Sequence, residues 1–166
     1  MGLFKREKTI KFQMREDMIS IGDDYWIEDD AGNKAYRVNG KAARIRDTWI
    51  LEDPHGKEVA KIKEKKLTVR DTIKIETGGK EYKVKKAMIG IRDRFVIETD
   101  GKNLKAHGNI VDHEYEIDLD GDKVAEISKK WFRLRDTYGV EIDADVDPAL
   151  ILSITVAIDS FSHDHG

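Results

Sequence analysis

Cysteine is absent from this 166-residue chain. That removes disulfides, thiolate metal sites and cysteine nucleophiles together. Strong charge of one sign is missing as well: 30 basic against 33 acidic residues leave a net charge of −3 and a pI near 6. No global field therefore draws the protein toward nucleic acid. The 38% charged content is nonetheless high and finely interleaved in sign, the pattern of a solvated, ion-paired exterior. No proline-rich, serine-rich or low-complexity stretch marks a linker, so the length suits a single domain over 1–166. No apolar run reaches the roughly 20 residues that a membrane-spanning helix needs. The opening Met1-Gly2-Leu3-Phe4-Lys5-Arg6 lacks the apolar segment of a signal peptide, and Arg6 stands where a myristoylation signal has Ser or Thr. These absences predict a cytoplasmic protein. P-loop, dinucleotide-glycine and nucleophile motifs are missing too, which points away from an enzyme.

What is present is a repeat. An apolar residue followed by Arg-Asp recurs as Ile45-Arg46-Asp47, Val69-Arg70-Asp71, Ile91-Arg92-Asp93 and Leu134-Arg135-Asp136. The Asp-to-Asp steps are 24, 22 and 43 residues, the last being two periods with a weaker copy between them. A glycine turn follows each Asp by eight or nine residues, at Gly32, Gly56, Gly78-Gly79 and Gly101, and counting back from the first finds Asp23. Before Gly121 the same count lands on His113, the weak copy, while Asp136 opens a sixth unit without a glycine turn. Between turns the residues alternate: Asp71, Ile73 and Ile75 share one phase, and Arg70, Thr72, Lys74 and Glu76 the other. One apolar and one charged face is the mark of a half-buried antiparallel strand. Six two-strand units predict about a dozen strands in meander order, and a sheet that large closes to remove its edges.

The period breaks at Asp147-Pro148, a helix start in which Asp caps free N–H groups and Pro suits the first turn. The segment to Phe161 is apolar almost all round, and a helix without a polar face must be buried. It is too short to span a bilayer and carries Asp159, so the bore of the barrel is its predicted place. Leu150, Ile151, Ile154, Val156 and Ile158 are expected to be nearly inaccessible there. A mainly β, closed antiparallel barrel around a central buried C-terminal helix is the predicted fold.

The run Phe12-Gln13-Met14-Arg15-Glu16-Asp17-Met18-Ile19-Ser20-Ile21-Gly22-Asp23-Asp24-Tyr25-Trp26-Ile27 resembles the opening of LURP-one-related proteins. The repeated Ile/Leu-Arg-Asp strands and the apolar helix after Asp-Pro are similar to that family as well. The resemblance implies the tubby C-terminal-like fold, a twelve-stranded barrel wrapped round a helix. That superfamily includes tubby proteins, which bind membrane phosphoinositides, and phospholipid scramblases. By analogy it implies a non-enzymatic binding module without a cofactor, for an anionic phospholipid head group or a protein partner. Calcium-dependent lipid handling and an uncharacterised enzyme are the alternatives. The family offers no catalytic motif to carry over.

Three sets of residues are candidates for function. Lys61 and Lys63 share a strand phase with Lys65, as do Lys83 and Lys85, which makes a possible basic stripe; each lysine near an anionic leaflet is worth about 1 kcal/mol. Glu52, Glu58, Glu64, Glu76 and Glu81 are interspersed, so a solvated face is the plainer reading. Asp143, Asp145 and Asp147 alternate as in calcium loops, as do Asp118, Asp120 and Asp122. Both lack the Gly and Glu of an EF-hand, with Lys123 and Lys129 at those places in one and Pro148 and Ile154 in the other, which leaves turn chemistry and helix capping as their role. His55 and His107 stand alone, His163 and His165 lie in the tail, and His113 neighbours Asp112 in the repeat's Asp position.

Overall fold

The structure, a computed structural model, describes residues 8–15, 24–40, 48–65, 72–87, 94–131 and 136–164. Its strands are β1 (Thr9–Arg15), β2 (Tyr25–Asp29), β3 (Lys34–Asn39), β4 (Thr48–Glu52), β5 (Glu58–Lys65) and β6 (Thr72–Thr77). There follow β7 (Lys80–Ala87), β8 (Arg94–Glu98), β9 (Asn103–Asn109), β10 (Glu114–Leu119), β11 (Asp122–Ser128) and β12 (Thr137–Asp143), then helix α1 (Pro148–Asp164). Each strand pairs antiparallel with its neighbours in sequence, and β1 pairs with β12 from Thr9 opposite Asp143 to Arg15 opposite Thr137. The barrel is closed.

The sixth repeat unit now explains itself. Its hairpin partner is not the next stretch of chain but β1, so no glycine turn is needed. The five turns that do exist gather at one end of the barrel, and glycines 32, 56, 78, 79, 101 and 121 all hold φ between 60° and 89° there. Asp29 and Asp53 brace two of these turns, each carboxylate accepting backbone N–H bonds of 2.8–3.0 Å from residues two and four positions on.

Of the Arg-Asp phrases and the repeat's Asp positions, only Asp136 and His113 fall within the described residues. Asp23, Asp47, Asp71 and Asp93, with Arg46, Arg70, Arg92 and Arg135, lie outside the described residues. The repeat position is visible twice: Asp136 has φ 60° and His113 has φ 54°. Both are left-handed turn residues, a conformation that Asp and His enter more readily than most side chains. His113 thus replaces Asp without disturbing the turn.

Inside the barrel the alternation holds. On β6, Ile73, Ile75 and Thr77 are buried while Thr72, Lys74 and Glu76 are half-buried. The bore is filled by α1, whose 17 residues extend about 25 Å. Asp147 caps it, its Oδ1 accepting the Ala149 N–H at 3.1 Å. Ile151, Leu152, Ile154, Val156, Ala157 and Ile158 are wholly inaccessible. Two buried hydroxyls bond back to the helix itself, Ser153 to the Ala149 carbonyl at 2.6 Å and Thr155 to that of Ile151 at 2.9 Å, so they leave no polar group unpaired. Leu150 departs from expectation. It is half-buried, in the first turn of α1, where it packs against the core from its margin. The helix also runs to Asp164, three residues beyond the predicted end.

Burial of a Leu or Ile side chain contributes roughly 1.5–3 kcal/mol, so α1 is a major part of the core. Ile154→Asp places an unpaired charge at a fully buried position and is expected to abolish cooperative folding, read by thermal melting. Ile154→Val is expected to fold and to lose about 1 kcal/mol. A soluble, cooperatively melting Ile154→Asp protein would refute the threaded helix.

Candidate functional site

The strand register gives the lysines of the candidate stripe an order that sequence alone did not. Lys63 on β5 lies directly opposite Lys74 on β6, which lies opposite Lys83 on β7. Like charges facing each other across strands are destabilising, and here two such pairs stand side by side. Lys61 is opposite Glu76, and Lys85 lies between Thr72 and Val96, so they flank this row. Acidic neighbours relieve part of the repulsion: Glu76 is 3.3 Å and Glu81 3.1 Å from the Lys74 ammonium. These bonds, that to Glu81 first, raise the pKa of Lys74, and Lys74 in turn lowers that of Glu76. Lys63 reaches Glu76 at 3.7 Å, Lys61 reaches Glu58 at 3.9 Å and Lys85 reaches Glu98 at 3.1 Å. Lys83 is exposed and has no carboxylate within 4.0 Å among the described residues. Sequence phase identified Lys61, Lys63, Lys83 and Lys85 as one face; it missed Lys74, the row's centre, because the pairing of β5 with β7 through β6 had to be known.

A second cluster lies inside, at the end of the bore away from the glycine turns. Six residues stand two positions after the repeat's Asp position: Tyr25, Trp49, Ile73, Phe95, Tyr115 and Tyr138. All six are buried, one from each unit, and each is the first or second residue of its strand, a layer by position in the repeat. The layer has two halves. Phe95 packs on Phe161 with ring centroids 5.3 Å apart. Asp159, two residues earlier and so on the opposite side of the helix, accepts a hydrogen bond from the Tyr138 hydroxyl. Its other oxygen is 3.2 Å from His113 Nε2, and the His113 ring stacks on Tyr138 at 4.2 Å. Burial first, and the Asp159 charge second, push the phenols of Tyr25, Tyr115 and Tyr138 well above their ordinary pKa. Among the described residues the buried Tyr25 hydroxyl has no hydrogen-bond partner, whereas that of Tyr115 neighbours Thr155 on α1. Asp159 and the tyrosines read in sequence as a helix-end acid and as core aromatics. The shared repeat position was the signal that would have joined them.

The other candidates are dispersed. Asp147 is the helix cap, Asp143 ends β12 and offers its carbonyl to Val146 N–H at 3.0 Å, and Asp145 is exposed. Of the acids around Gly121, Asp120 serves the turn with φ 51°, while Asp118 reaches across to β9. There it meets His107: Asp118 Oδ2 lies 2.7 Å from His107 Nε2, and Glu116 stands opposite His107 in the register. Among the described residues this is the one group of three His or carboxylate side chains whose ligand atoms lie within 4.8 Å of one another. The pairing follows from folding the chain about residues 110–113, a step the isolated reading of His107 omitted. His163 belongs to the end of α1, His165 lies outside the described residues, and His55 is an exposed turn residue.

The LURP-one-related sequence profile matches residues 10–159. The chain belongs to the LURP-one-related family. Its fold is similar to that of an Arabidopsis thaliana protein solved by X-ray crystallography, with a TM-score of 0.64 and 15% identity over 98% of this chain and 96% of that one. No curated protein matches the sequence. At that identity the likeness carries the barrel and its central helix, and no site.

The buried tyrosines set an alkaline limit on this fold. Unfolded tyrosine ionises near pH 10, whereas these three hold their protons in the folded state, so their contribution to stability is present below about pH 10 and is lost as pH rises above it. The melting temperature is expected to fall steeply above that pH, with the phenolate absorbance of three of the five tyrosines appearing only as the protein unfolds. Tyr138→Phe should flatten the alkaline fall while costing roughly 1.5–3 kcal/mol near neutrality, the worth of a hydrogen bond to a charged group. Phenolate absorbance from more than two of the five tyrosines rising ahead of unfolding would contradict the placement of these side chains.

Proposed function

We propose that this LURP-one-related domain is a non-enzymatic, cytoplasmic binding module that engages anionic phospholipid head groups through the outer wall of β5, β6 and β7. The observation that supports this reading is the lateral row Lys63–Lys74–Lys83, flanked by Lys61 and Lys85. A sheet gains nothing from facing lysines, and an anionic surface laid across them converts repulsion into attraction. The ion pairs of Lys61, Lys63 and Lys85 are made at half-exposed positions, where such pairs contribute little and exchange readily for a phosphate. The wall is a curved sheet with its charges on rigid strands, suited to lie against a head-group layer rather than to enclose a small molecule. No helix among the described residues is long and apolar enough to cross a membrane, which fits attachment from outside.

Sedimentation with vesicles of phosphatidylserine or phosphoinositides in a neutral carrier lipid, at low and at high salt, tests the proposal. Binding is expected at low salt and should weaken as salt rises. Lys63→Glu with Lys83→Glu leaves Lys74 in its own ion pairs. This double variant should lose at least about 2 kcal/mol, roughly thirtyfold in affinity, without a large change in melting temperature. Binding that ignores both salt and this variant would place the contact elsewhere. Failure to sediment with any anionic vesicle would turn the same face toward an acidic protein partner.

A further inference from the structure

We propose that His107, Glu116 and Asp118 form a binding site for a divalent transition-metal cation on the outer wall of the barrel. His107 and Glu116 are directly opposed across β9 and β10, and Asp118 follows Glu116 by two residues, so all three project from the same face. Their ligand atoms lie within 4.8 Å of one another. A tetrahedral ion with bonds of about 2.0–2.2 Å holds neighbouring donors roughly 3.4 Å apart. The 2.7 Å separation of His107 Nε2 from Asp118 Oδ2 therefore opens slightly while Glu116 closes, by side-chain rotation alone. The strands themselves are fixed close together beside the site. At Gly108, next to His107, a Cβ would stand 2.8 Å from the Glu114 carbonyl oxygen.

Two further features favour a cation. Glu116 faces Glu126 on β11, which faces Glu141 on β12, a lateral row of three carboxylates starting at the site. Cross-strand pairs of like charge are destabilising, and a metal ion at one end relieves the first of them. Lys105 and Lys123 stand opposite Asp118 and Arg94 opposite His107; of these, Lys123 is 3.9 Å from Glu116 but 3.3 Å from Glu126, so it can remain with Glu126 when an ion takes Glu116. The site is also accessible, with side chains 42%, 42% and 23% exposed for His107, Glu116 and Asp118. One imidazole nitrogen and two carboxylates suit zinc and its neighbours in the first transition row. Calcium, which takes six to eight oxygens, is poorly matched to three donors that include a nitrogen. Three protein ligands leave a coordination position open to water or to a further ligand.

The test is calorimetric titration of the full chain with Zn2+ alone near neutral pH, paired with thermal melting. The tail histidines are a rival zinc binder, so a His163→Ala/His165→Ala variant is the background for every comparison. On that background Zn2+ is expected to bind with one-to-one stoichiometry and raise the melting temperature, and Ca2+ at the same concentration to leave it unchanged. His107→Ala, and separately Glu116→Gln, should each weaken Zn2+ binding by tenfold or more while leaving the metal-free melting temperature near its starting value, because both side chains are on the surface. Zn2+ binding that disappears with the tail histidines overturns the proposal. So does binding that survives His107→Ala, or a stabilisation that Ca2+ reproduces, since that would be simple screening of the carboxylate row.

Discussion

A ring of twelve strands encloses more space than its own inward side chains can fill; eight strands is about the limit for that. Everything in this molecule turns on how the excess is occupied. The solution is a helix with almost no polar surface, and its composition follows from its surroundings. Ile151, Ile154, Val156 and Ile158 meet a wall of isoleucines and aromatics on every side, so no face is free to carry charge. Three of its buried polar side chains have partners at hand: Ser153 and Thr155 bond back to their own helix, and Asp159 is met by Tyr138 and His113. The strands in turn are freed from packing against one another through the centre. They need only alternate, which is why a loose repeat of twenty-odd residues with little sequence identity between units suffices.

That looseness decided what could be read from the sequence. Alternation on β6 and β8, glycine turns at regular intervals and an apolar segment after Asp-Pro each constrain local geometry strongly, and together they define the barrel and its plug. Leu150 was misjudged because apolarity does not report where along a helix full burial begins. The candidate sites were less legible for a related reason. Lys63, Lys74 and Lys83 come from three strands, and His107 meets Glu116 and Asp118 only through a hairpin register. A strand's phase is written in its own residues. Which residues stand beside one another across strands depends on turn lengths and on bulges such as that between Ile117 and Asp118, and these shift the partners by a residue.

The exterior is more ordered than a net charge of −3 suggests. Lysines oppose lysines on β5 to β7, and glutamates oppose glutamates on β10 to β12, nearly half the circumference away. A single number for charge averages these rows to near zero. An approaching ion or surface, within a Debye length of one wall, meets only one of them. The barrel therefore has two chemically opposite sides on one rigid scaffold, and the proposals for an anionic surface and for a cation draw on different sides.

The seam between β1 and β12 sets the order in which this molecule can be made. Ten of the twelve strands pair with partners emerging within a few tens of residues, while β1 must wait for a partner near the far end of the chain. During synthesis on the ribosome, a sheet whose first strand is paired on one edge only, with β2, has a hollow inner face until β12 and then α1 appear. Such a nascent sheet presents two raw edges and an apolar trough, the surfaces that chaperones recognise and aggregation exploits. The helix that completes the core follows all twelve strands in chain order. Closure and plugging therefore both come late, since a chain that stops before α1 carries all twelve strands around an unfilled bore.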